Sequence, residues 1–324
     1  MSTNYPIEIG LLLYPEAQLS AVLGMTDLLE LANRFAVPQA ESTGKAIRVS
    51  HWRQETSEAL PSRVFDTMPE KDGSPSVLVV PPSLGEPATP EIAAPYSDWL
   101  RRHHAAGGTL ASVCAGAFVL AETGLLDGRV ATTHWLYEEQ FQSRFPKVHL
   151  DVDRLIIDDG DLITAGGAMA WTDLGLKLLD RFLGPNIMVK TARILLVDPP
   201  GREQRFYSVF SPKLLHGDAA ILKVQHWLQE TEAKDIALGK LASISGLQER
   251  TFQRRFHKAT GMTTSEYCQR LRVGRAREFL QFSRLSVESV AWEVGYQDPA
   301  SFRKVFARIV GLPPGEYRQR FAAG

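Results

Sequence analysis

Short apolar runs alternate with amphipathic stretches through the first two-thirds of the chain. Segments such as IEIGLLLY and SVLVV have strand length and are almost continuously apolar, which is typical of strands buried on both faces. Between such runs, LSAVLGMTDLLELANRF and AMAWTDLGLKLLDRFLG place apolar residues at helical spacing. This alternation predicts an α/β domain built on a doubly wound parallel sheet, and Asp159-Gly160 in IIDDGDLIT predicts a hairpin turn.

The last third of the chain has helical periodicity and contains an internal repeat. Residues 252–271, FQRRFHKATGMTTSEYCQRL, align without gaps on residues 302–321, FRKVFARIVGLPPGEYRQRF. Upstream, LASISGLQ (241–248) aligns on VAWEVGYQ (290–297), and the second copy has one inserted residue beside Asp298-Pro299. The identical positions include Phe252/Phe302, Phe256/Phe306, Gly261/Gly311, Tyr267/Tyr317 and Gly246/Gly295.

Each copy predicts a helix, a glycine-containing turn and a second helix, so the last third is predicted to be all-α with two helix-turn-helix units. The apolar stripe of each second helix leaves polar side chains outside, of types that contact base edges or phosphates in DNA. The candidate DNA-binding residues are Gln248, Arg250, Gln253, Arg254, Ala300, Ser301, Arg303 and Lys304. Solvated amphipathic helices are the alternative, but two copies with glycine, phenylalanine and basic positions in phase favour DNA binding.

The charge distribution agrees with a DNA-binding last third. Residues 217–324 hold 17 Lys and Arg against 11 Asp and Glu, whereas the rest of the chain holds 19 against 26. An apolar content of 44% and two distant cysteines are ordinary for a soluble protein of a reducing compartment. The N-terminus lacks a signal-peptide pattern, and no run approaches the roughly 18 apolar residues of a membrane span. We therefore expect a cytoplasmic protein with no membrane partner.

Residues 217–324 resemble the AraC/XylS-type transcription-regulator domain, most specifically through VAWEVGY and SFRKVFARIVGLPPGEYR. The resemblance implies that a long helix near Ser265–Phe282 joins the two helix-turn-helix units. It also implies that the two units enter successive major-groove faces, ~34 Å apart. Pro299 and Ala300 stand where the family has polar residues, so the second unit is expected to contribute more phosphate anchoring than base contact.

A cysteine lies at a predicted strand-to-helix turn in the first two-thirds. In SVCAG, small residues around Cys114 permit a sharp elbow that exposes a side chain near a helix N-terminus, where the helix dipole lowers a thiol pKa. His134 is the natural candidate for a base. The carboxyl ends of parallel strands are where such folds bind small molecules. The candidate ligand pocket consists of Cys114, Ala115, His134, Ser83 and Gly85.

Residues 5–190 resemble the class I glutamine amidotransferase-like superfamily in its intracellular-protease branch, which implies a flavodoxin-like sheet. The two halves in this order resemble the regulators that fuse these domains. The branch usually has an acid that hydrogen-bonds the cysteine, and here that position falls on Ala21, with neither Glu16 nor Asp27 matching it. Pro81-Pro82 begins the loop that usually offers oxyanion amides, and proline has no N–H. These departures favour a pocket that binds without catalysis.

Three hypotheses follow. The first is a DNA-binding transcription regulator, an activator, whose first domain senses a small metabolite and forms a homodimer, with RNA polymerase as the partner of an activator. The resemblance implies an amino-acid or amine effector. The second is a hydrolase or amidotransferase that depends on Cys114 and carries a DNA-binding domain. The third is a structural DNA-binding protein without a ligand. Two helix-turn-helix units in one chain also allow a monomer to recognise its site. No cofactor or metal is predicted.

The expected domains are a sensor and dimerisation domain (1–197), a linker (198–216) and the DNA-binding domain (217–324). In the linker, Arg202, Gln204 and Phe206 are candidates for docking on the sensor. His103-His104 is expected to face solvent. His149, Asp151 and Asp153 are expected to share one strand face, as a hard-metal site or, more simply, as a polar outer face. Cys268 is expected to pack within a helix.

Overall fold

The computed structural model describes residues 6–43, 47–56, 59–70, 73–198, 201–234 and 236–322. The chain divides into two compact units, Met1–Gln204 and Arg205–Gly324. The division falls within the segment that the sequence predicts as a linker. Within the described residues, no helix is long and apolar enough to cross a membrane.

The first unit alternates strands and helices as the apolar pattern predicts. Its strands are β1 (Ile7–Leu13), β2 (Ile47–Arg53), β3 (Ser62–Asp66), β4 (Val77–Val80), β5 (Thr109–Val113), β6 (Val130–Ala131), β7 (His149–Leu150), β8 (Ile156–Asp158) and β9 (Leu162–Ala165). Its helices are α1 (Leu19–Thr43), α2 (Pro90–Ala105), α3 (Gly116–Ala121), α4 (Glu138–Arg144), α5 (Trp171–Leu183) and α6 (Pro185–Leu195). A short 3-10 turn at Trp135–Tyr137 precedes α4.

Seven strands form the main sheet in the order β3-β2-β1-β4-β5-β9-β8. The inner strands pair in parallel, whereas β3 and β8 at the edges pair antiparallel with β2 and β9. The prediction of a parallel sheet is therefore right for the centre, and the predicted Asp159-Gly160 hairpin is found at the β8 edge, whereas the antiparallel β3 at the other edge was not predicted. The turn at Asp159-Gly160 closes the β8–β9 hairpin, with Gly160 at a φ of 87°.

Helices cover both faces of the sheet, which explains the apolar runs. Along β4, Val77 and Val79 pack with α1, α5 and α6, while Leu78 and Val80 pack with α2, α3 and α4 on the other face. Successive side chains of a strand point to opposite faces, so a strand covered on both faces must be apolar at every position. The order of strands reverses between β1 and β4, which places a topological switch point at their carboxyl ends.

The second unit is entirely helical within the part of the chain that the structure describes. Its helices are α7 (Ala219–Glu230), α8 (Leu238–Ser245), α9 (Glu249–Thr260), α10 (Thr264–Phe282), α11 (Val287–Glu293), α12 (Pro299–Val310) and α13 (Pro314–Phe321). α8–α9 and α11–α12 are the two helix-turn-helix units, and α10 is the long helix that joins them. It begins one residue before the predicted Ser265 and ends at the predicted Phe282.

The sequence repeat is also a repeat of packing. Phe252 and Phe256 of α9 are fully buried, and the ring of Tyr267 stands edge-on to Phe256 at a centroid distance of 5.2 Å. In the second copy, Phe306 and Tyr317 have the same edge-on arrangement at 5.5 Å. The helices α9 and α12 both end at a glycine with a positive φ, a conformation that only glycine adopts without strain.

Two expectations about the first unit are wrong. His103 and His104 are half-buried, and not solvent-facing, because α2 packs against the sheet; His104 Nε2 lies 2.6 Å from an Asp161 carboxylate oxygen. The segment HLDVD does not form one strand face, since β7 ends at Leu150 and the aspartates lie in the following turn. No group of three or more potential metal-ligating side chains occurs within the described residues.

Candidate functional site

Cys114 lies at the elbow between β5 and α3, at the carboxyl edge of the sheet. Its φ of 54° is in the left-handed region, which is uncommon for a residue with a side chain. The backbone is held there by the Cys114 amide, which donates to the carbonyl oxygen of Ala165 on β9 at 2.7 Å. At Gly116 an added Cβ would lie 2.5 Å from the carbonyl oxygens of Val80 and Pro81, so only glycine permits this close turn.

The loops after β1 and β4 meet beside the elbow. Ala17 and Ser83 form an isolated antiparallel bridge, and the Gln18 amide donates to the carbonyl of Pro82 at 2.7 Å. The buried Tyr14 hydroxyl donates to the carbonyl of Pro81 at 2.9 Å. These contacts place Ser83 at the switch-point edge, together with the elbow.

Burial raises the pKa of the Cys114 thiol to about 11, although hydrogen bonds from the backbone amides of Ala115 and Gly167 oppose the shift. Desolvation disfavours the charged form of an acid, so the thiol is neutral at neutral pH. Burial also raises the pKa of Tyr14 and Tyr137, and both phenols lie close enough for charge on Cys114 to raise it further. A thiol nucleophile requires the opposite shift.

His134 does not form a hydrogen bond with Cys114 among the residues that the structure describes. Its Nδ1 accepts the amide of Leu136 at 3.1 Å, where His134 caps the short 3-10 turn. Burial lowers the pKa of His134, so the ring is neutral at neutral pH. The ring contacts Tyr137 at a centroid distance of 5.9 Å, and the Tyr137 phenol is in turn close enough to Cys114 for charge on the thiol to raise its pKa. We refer to Tyr14, Ser83, Cys114, His134 and Tyr137 as the elbow pocket.

Two features that would assist a cysteine nucleophile are altered here: the acid expected in α1 and the free amides of the loop after β4. Ala21 is buried in α1 and has no polar group. The nearest acid at the loop is Glu16, which is exposed and whose carboxylate lies over Gly85, 2.6 Å from where a Cβ would be. The amide of Leu84, which follows the two prolines, donates to the carbonyl of Glu16 at 3.4 Å. An oxyanion site needs free donors, and the two prolines and the engaged Leu84 amide remove three positions of this loop from that role.

The predicted pocket residues therefore come together only in part. Cys114 and Ser83 lie close to Tyr14, and the Ala115 amide contacts the Cys114 thiol. Gly85 follows Ser83 and lies against Glu16, and His134 contacts Tyr137. Sequence reasoning did not find Tyr14 or Tyr137. Their only sequence signal is position, because Tyr14 directly follows β1 and Tyr137 lies three residues after His134.

On α9, the predicted DNA-binding side chains lie on the face opposite the buried phenylalanines. Gln248, Arg250, Gln253 and Arg254 are all exposed. The Arg255 guanidinium instead donates two hydrogen bonds to the Asp218 carboxylate, with N···O distances of 2.7 and 2.9 Å. The helix thus presents two arginines and two amides on one exposed surface.

On α12, the predicted residues are exposed but two of them are engaged within the chain. Asp298 caps the helix by accepting the amides of Ala300 and Ser301 and the Ser301 hydroxyl. Arg303 forms an ion pair with Glu288 of α11. Lys304 remains exposed beside them. On α12, Ser301 and Arg303 are thus engaged within the chain, whereas Arg250 and Arg254 of α9 are exposed.

Two families match separate parts of the chain. The DJ-1/PfpI family matches residues 27–181, and a helix-turn-helix domain family matches residues 241–320. The first match covers the elbow and the second covers both α9 and α12.

Similar curated proteins span nearly the whole chain. The HTH-type transcriptional regulator GlxA of Rhizobium meliloti is 27% identical over 96% of this chain and 95% of its own length. The HTH-type transcriptional regulator GbdR of Pseudomonas aeruginosa is 26% identical over 97% of this chain and 84% of its own. An isonitrile hydratase of Pseudomonas putida is 29% identical over 58% of this chain and 76% of its own.

Proposed function

Since the chain belongs to the regulators that join an N-terminal DJ-1/PfpI-type domain to a C-terminal AraC-type helix-turn-helix domain, we propose that it is a sequence-specific DNA-binding transcription regulator. The observation that carries the proposal is the exposed face of α9, where Arg250, Gln253 and Arg254 lie away from a fully buried aromatic stripe. Arginine and glutamine at these positions match guanine and adenine edges in the major groove. A regulator must reach chromosomal DNA, so the proposal includes a cytoplasmic location.

Selection from a random-sequence duplex library tests this function. The full-length chain is expected to enrich one sequence that contains two contacted segments about one helical turn apart, as expected of two helix-turn-helix units. Footprinting would then locate α9 and α12 on the duplex through the variants described below. Recovery of unrelated duplexes, bound only at low salt, would contradict sequence-specific recognition.

The first unit is proposed to bind a small metabolite in the elbow pocket without converting it. The neutral Cys114 thiol, the engaged Nδ1 of His134 and the scarcity of loop donors support binding over catalysis. An amino acid or an amine is the proposed class of effector, and its effect would come from binding one arrangement of the protein more tightly than another. We also propose that the first unit dimerises and that RNA polymerase is the partner if the protein is an activator.

The alternative is a Cys114-dependent hydrolase or amidotransferase, since one relative of the first unit is named as an enzyme. Thermal stability of the wild type and of Cys114→Ala, measured with a panel of amino acids, amines and small amides, distinguishes the two. A compound that stabilises both proteins and is recovered unchanged by mass analysis supports a sensor. A compound that is altered by the wild type and not by Cys114→Ala supports the enzyme.

A further inference from the structure

The segment that connects the two units begins with a buried amide side chain. Gln204 is 2% exposed in the first unit. Its Nε2 donates to the hydroxyl of Thr132 at 3.0 Å and to the carbonyls of Thr133 and Arg154 at 2.8 and 3.0 Å, and its Oε1 accepts the amide of Trp135 at 3.3 Å. Four groups therefore define the position of one side chain.

Two of these partners directly flank a residue of the elbow pocket. Thr133 and Trp135 are the two neighbours of His134, so Gln204 holds both ends of the residue that faces Tyr137. The Thr133 hydroxyl donates to the carbonyl of Cys114 at 2.8 Å. On its other side Gln204 fills the space left by Gly166, which directly follows the Ala165 carbonyl that accepts the Cys114 amide. A displacement of the pocket backbone must therefore move Gln204.

The next residues of the segment are anchored in the second unit. Arg277 of α10 is buried, and its guanidinium donates to the carbonyls of Arg205, at 2.7 Å, and Ser208. A buried guanidinium needs acceptors, and the segment supplies both of these. The Arg277 donors thus make residues 205–208 a part of the helical unit.

The segment also touches both helix-turn-helix cores. Phe206 is buried against Gly311, the glycine that ends α12, where an added Cβ would lie 2.8 Å from its ring. Phe210 stands edge-on to Tyr267 at 5.3 Å, and Tyr267 packs on Phe256 of α9. A shift of residues 205–210 therefore reaches the packing of both candidate DNA-contacting helices.

We propose that Gln204 is a positioning residue that couples the elbow pocket to the two helix-turn-helix units. This inference rests on the proposed function. Gln204 and Phe206 are anchored to different units and are separated by one residue, so the chain has no slack with which to absorb a movement of either anchor. Coupling is reciprocal, so DNA bound by the second unit must in turn alter the backbone around His134.

The test measures hydrogen exchange of residues 132–137 in the full-length protein, with and without a duplex selected by the wild type. In the wild type, the duplex is expected to change the exchange of this segment. A Gly-Ser insertion between Gln204 and Arg205 leaves both anchors in place and is expected to abolish the change while the duplex still binds. The same insertion between Leu214 and Leu215, beyond the anchors, is the matched control and should retain it.

Gln204→Ala is expected to lose the same response and to lower the thermal stability of the first unit. If Gln204→Ala does not fold, the variant with Gly-Ser inserted between Gln204 and Arg205 still decides the test. The coupling role is overturned if the duplex leaves the hydrogen exchange of residues 132–137 unchanged in the wild type. It is also overturned if the variant with the insertion after Gln204 shows the same change as the wild type. Failure to recover any duplex would instead contradict the proposed DNA-binding function, and this inference would fall with it.

Discussion

The hydroxyl of Thr133 donates a hydrogen bond of 2.8 Å to the carbonyl oxygen of Cys114. Both residues are buried, and the bond ties the strained elbow to the segment that carries His134. The elbow is therefore held from both directions of the chain, through Thr133 at its carbonyl and through Ala165 at its amide.

Thr133→Val should reduce the free energy of unfolding by about 1 kcal/mol, because it removes this bond and keeps the shape of the side chain. Urea unfolding of the full-length chain measures the change. Thr191→Val is the control, since that buried hydroxyl donates only to the carbonyl of Ile187 within α6. An equal loss in both variants would argue against a special role of the elbow bond.

Cys114 should alkylate slowly at neutral pH, and its rate should rise with pH up to about 11, because only the thiolate reacts. The experiment uses the Cys268→Ala background. After unfolding in urea, the rate should level off near the ordinary thiol pKa of about 8.5. Because the pKa of the thiol is higher in the folded than in the unfolded protein, the neutral thiol contributes its full share to the free energy of unfolding below about pH 8.5. That contribution is lost as the pH rises toward 11. A folded-state midpoint near pH 7 would indicate an activated nucleophile.

Arg254→Ala should weaken specific DNA binding by about 1–3 kcal/mol if the guanidinium contacts a base. Titration of the selected duplex, followed by fluorescence anisotropy at several salt concentrations, measures the loss. Lys223→Ala removes an exposed positive charge from α7 and serves as the control. Unchanged affinity in Arg254→Ala would contradict the role given to this residue.

Glu288→Gln should strengthen DNA binding slightly at low salt, because it releases Arg303 from an exposed ion pair. The gain should fade as salt increases. Glu293→Gln removes the same charge from α11 without releasing an arginine, and it should have a smaller effect. Equal gains in the two variants would mean that only net charge matters.

Asp298→Ala should destabilise the second helix-turn-helix unit and lower its urea midpoint, because Asp298 caps α12 through two amides. Gln248 has the equivalent N-cap position of α9 but its side chain makes no cap bond. Gln248→Ala should therefore leave the urea midpoint nearly unchanged. A comparable loss for Gln248→Ala would show that the two caps are equivalent.

Local sequence patterns were sufficient to predict the helices of the last third of the chain. Phe252 and Phe256, like Phe302 and Phe306, are spaced so that they share one face of a single helix, and the gapless repeat indicated that Tyr267 and Tyr317 have equivalent positions on the next helix. The edge strand β3 was not predictable in this way, whereas the Asp159-Gly160 turn did predict the hairpin that β8 forms with β9. β3 and β8 pair antiparallel because of their connections, and their few residues carry little periodicity.

Residues close together in the chain specify the two fold classes, the elbow at Cys114 and the exposed face of α9, so local sequence patterns could predict them. The tertiary structure alone establishes which side chains lie near the thiol, since Tyr14 and Tyr137 come from separate connections. It also decided that Gln204 enters the first unit while Phe206 belongs to the second, contrary to the expectation that both dock on the sensor. Burial and hydrogen bonding to distant backbone set these positions, and no local pattern encodes them.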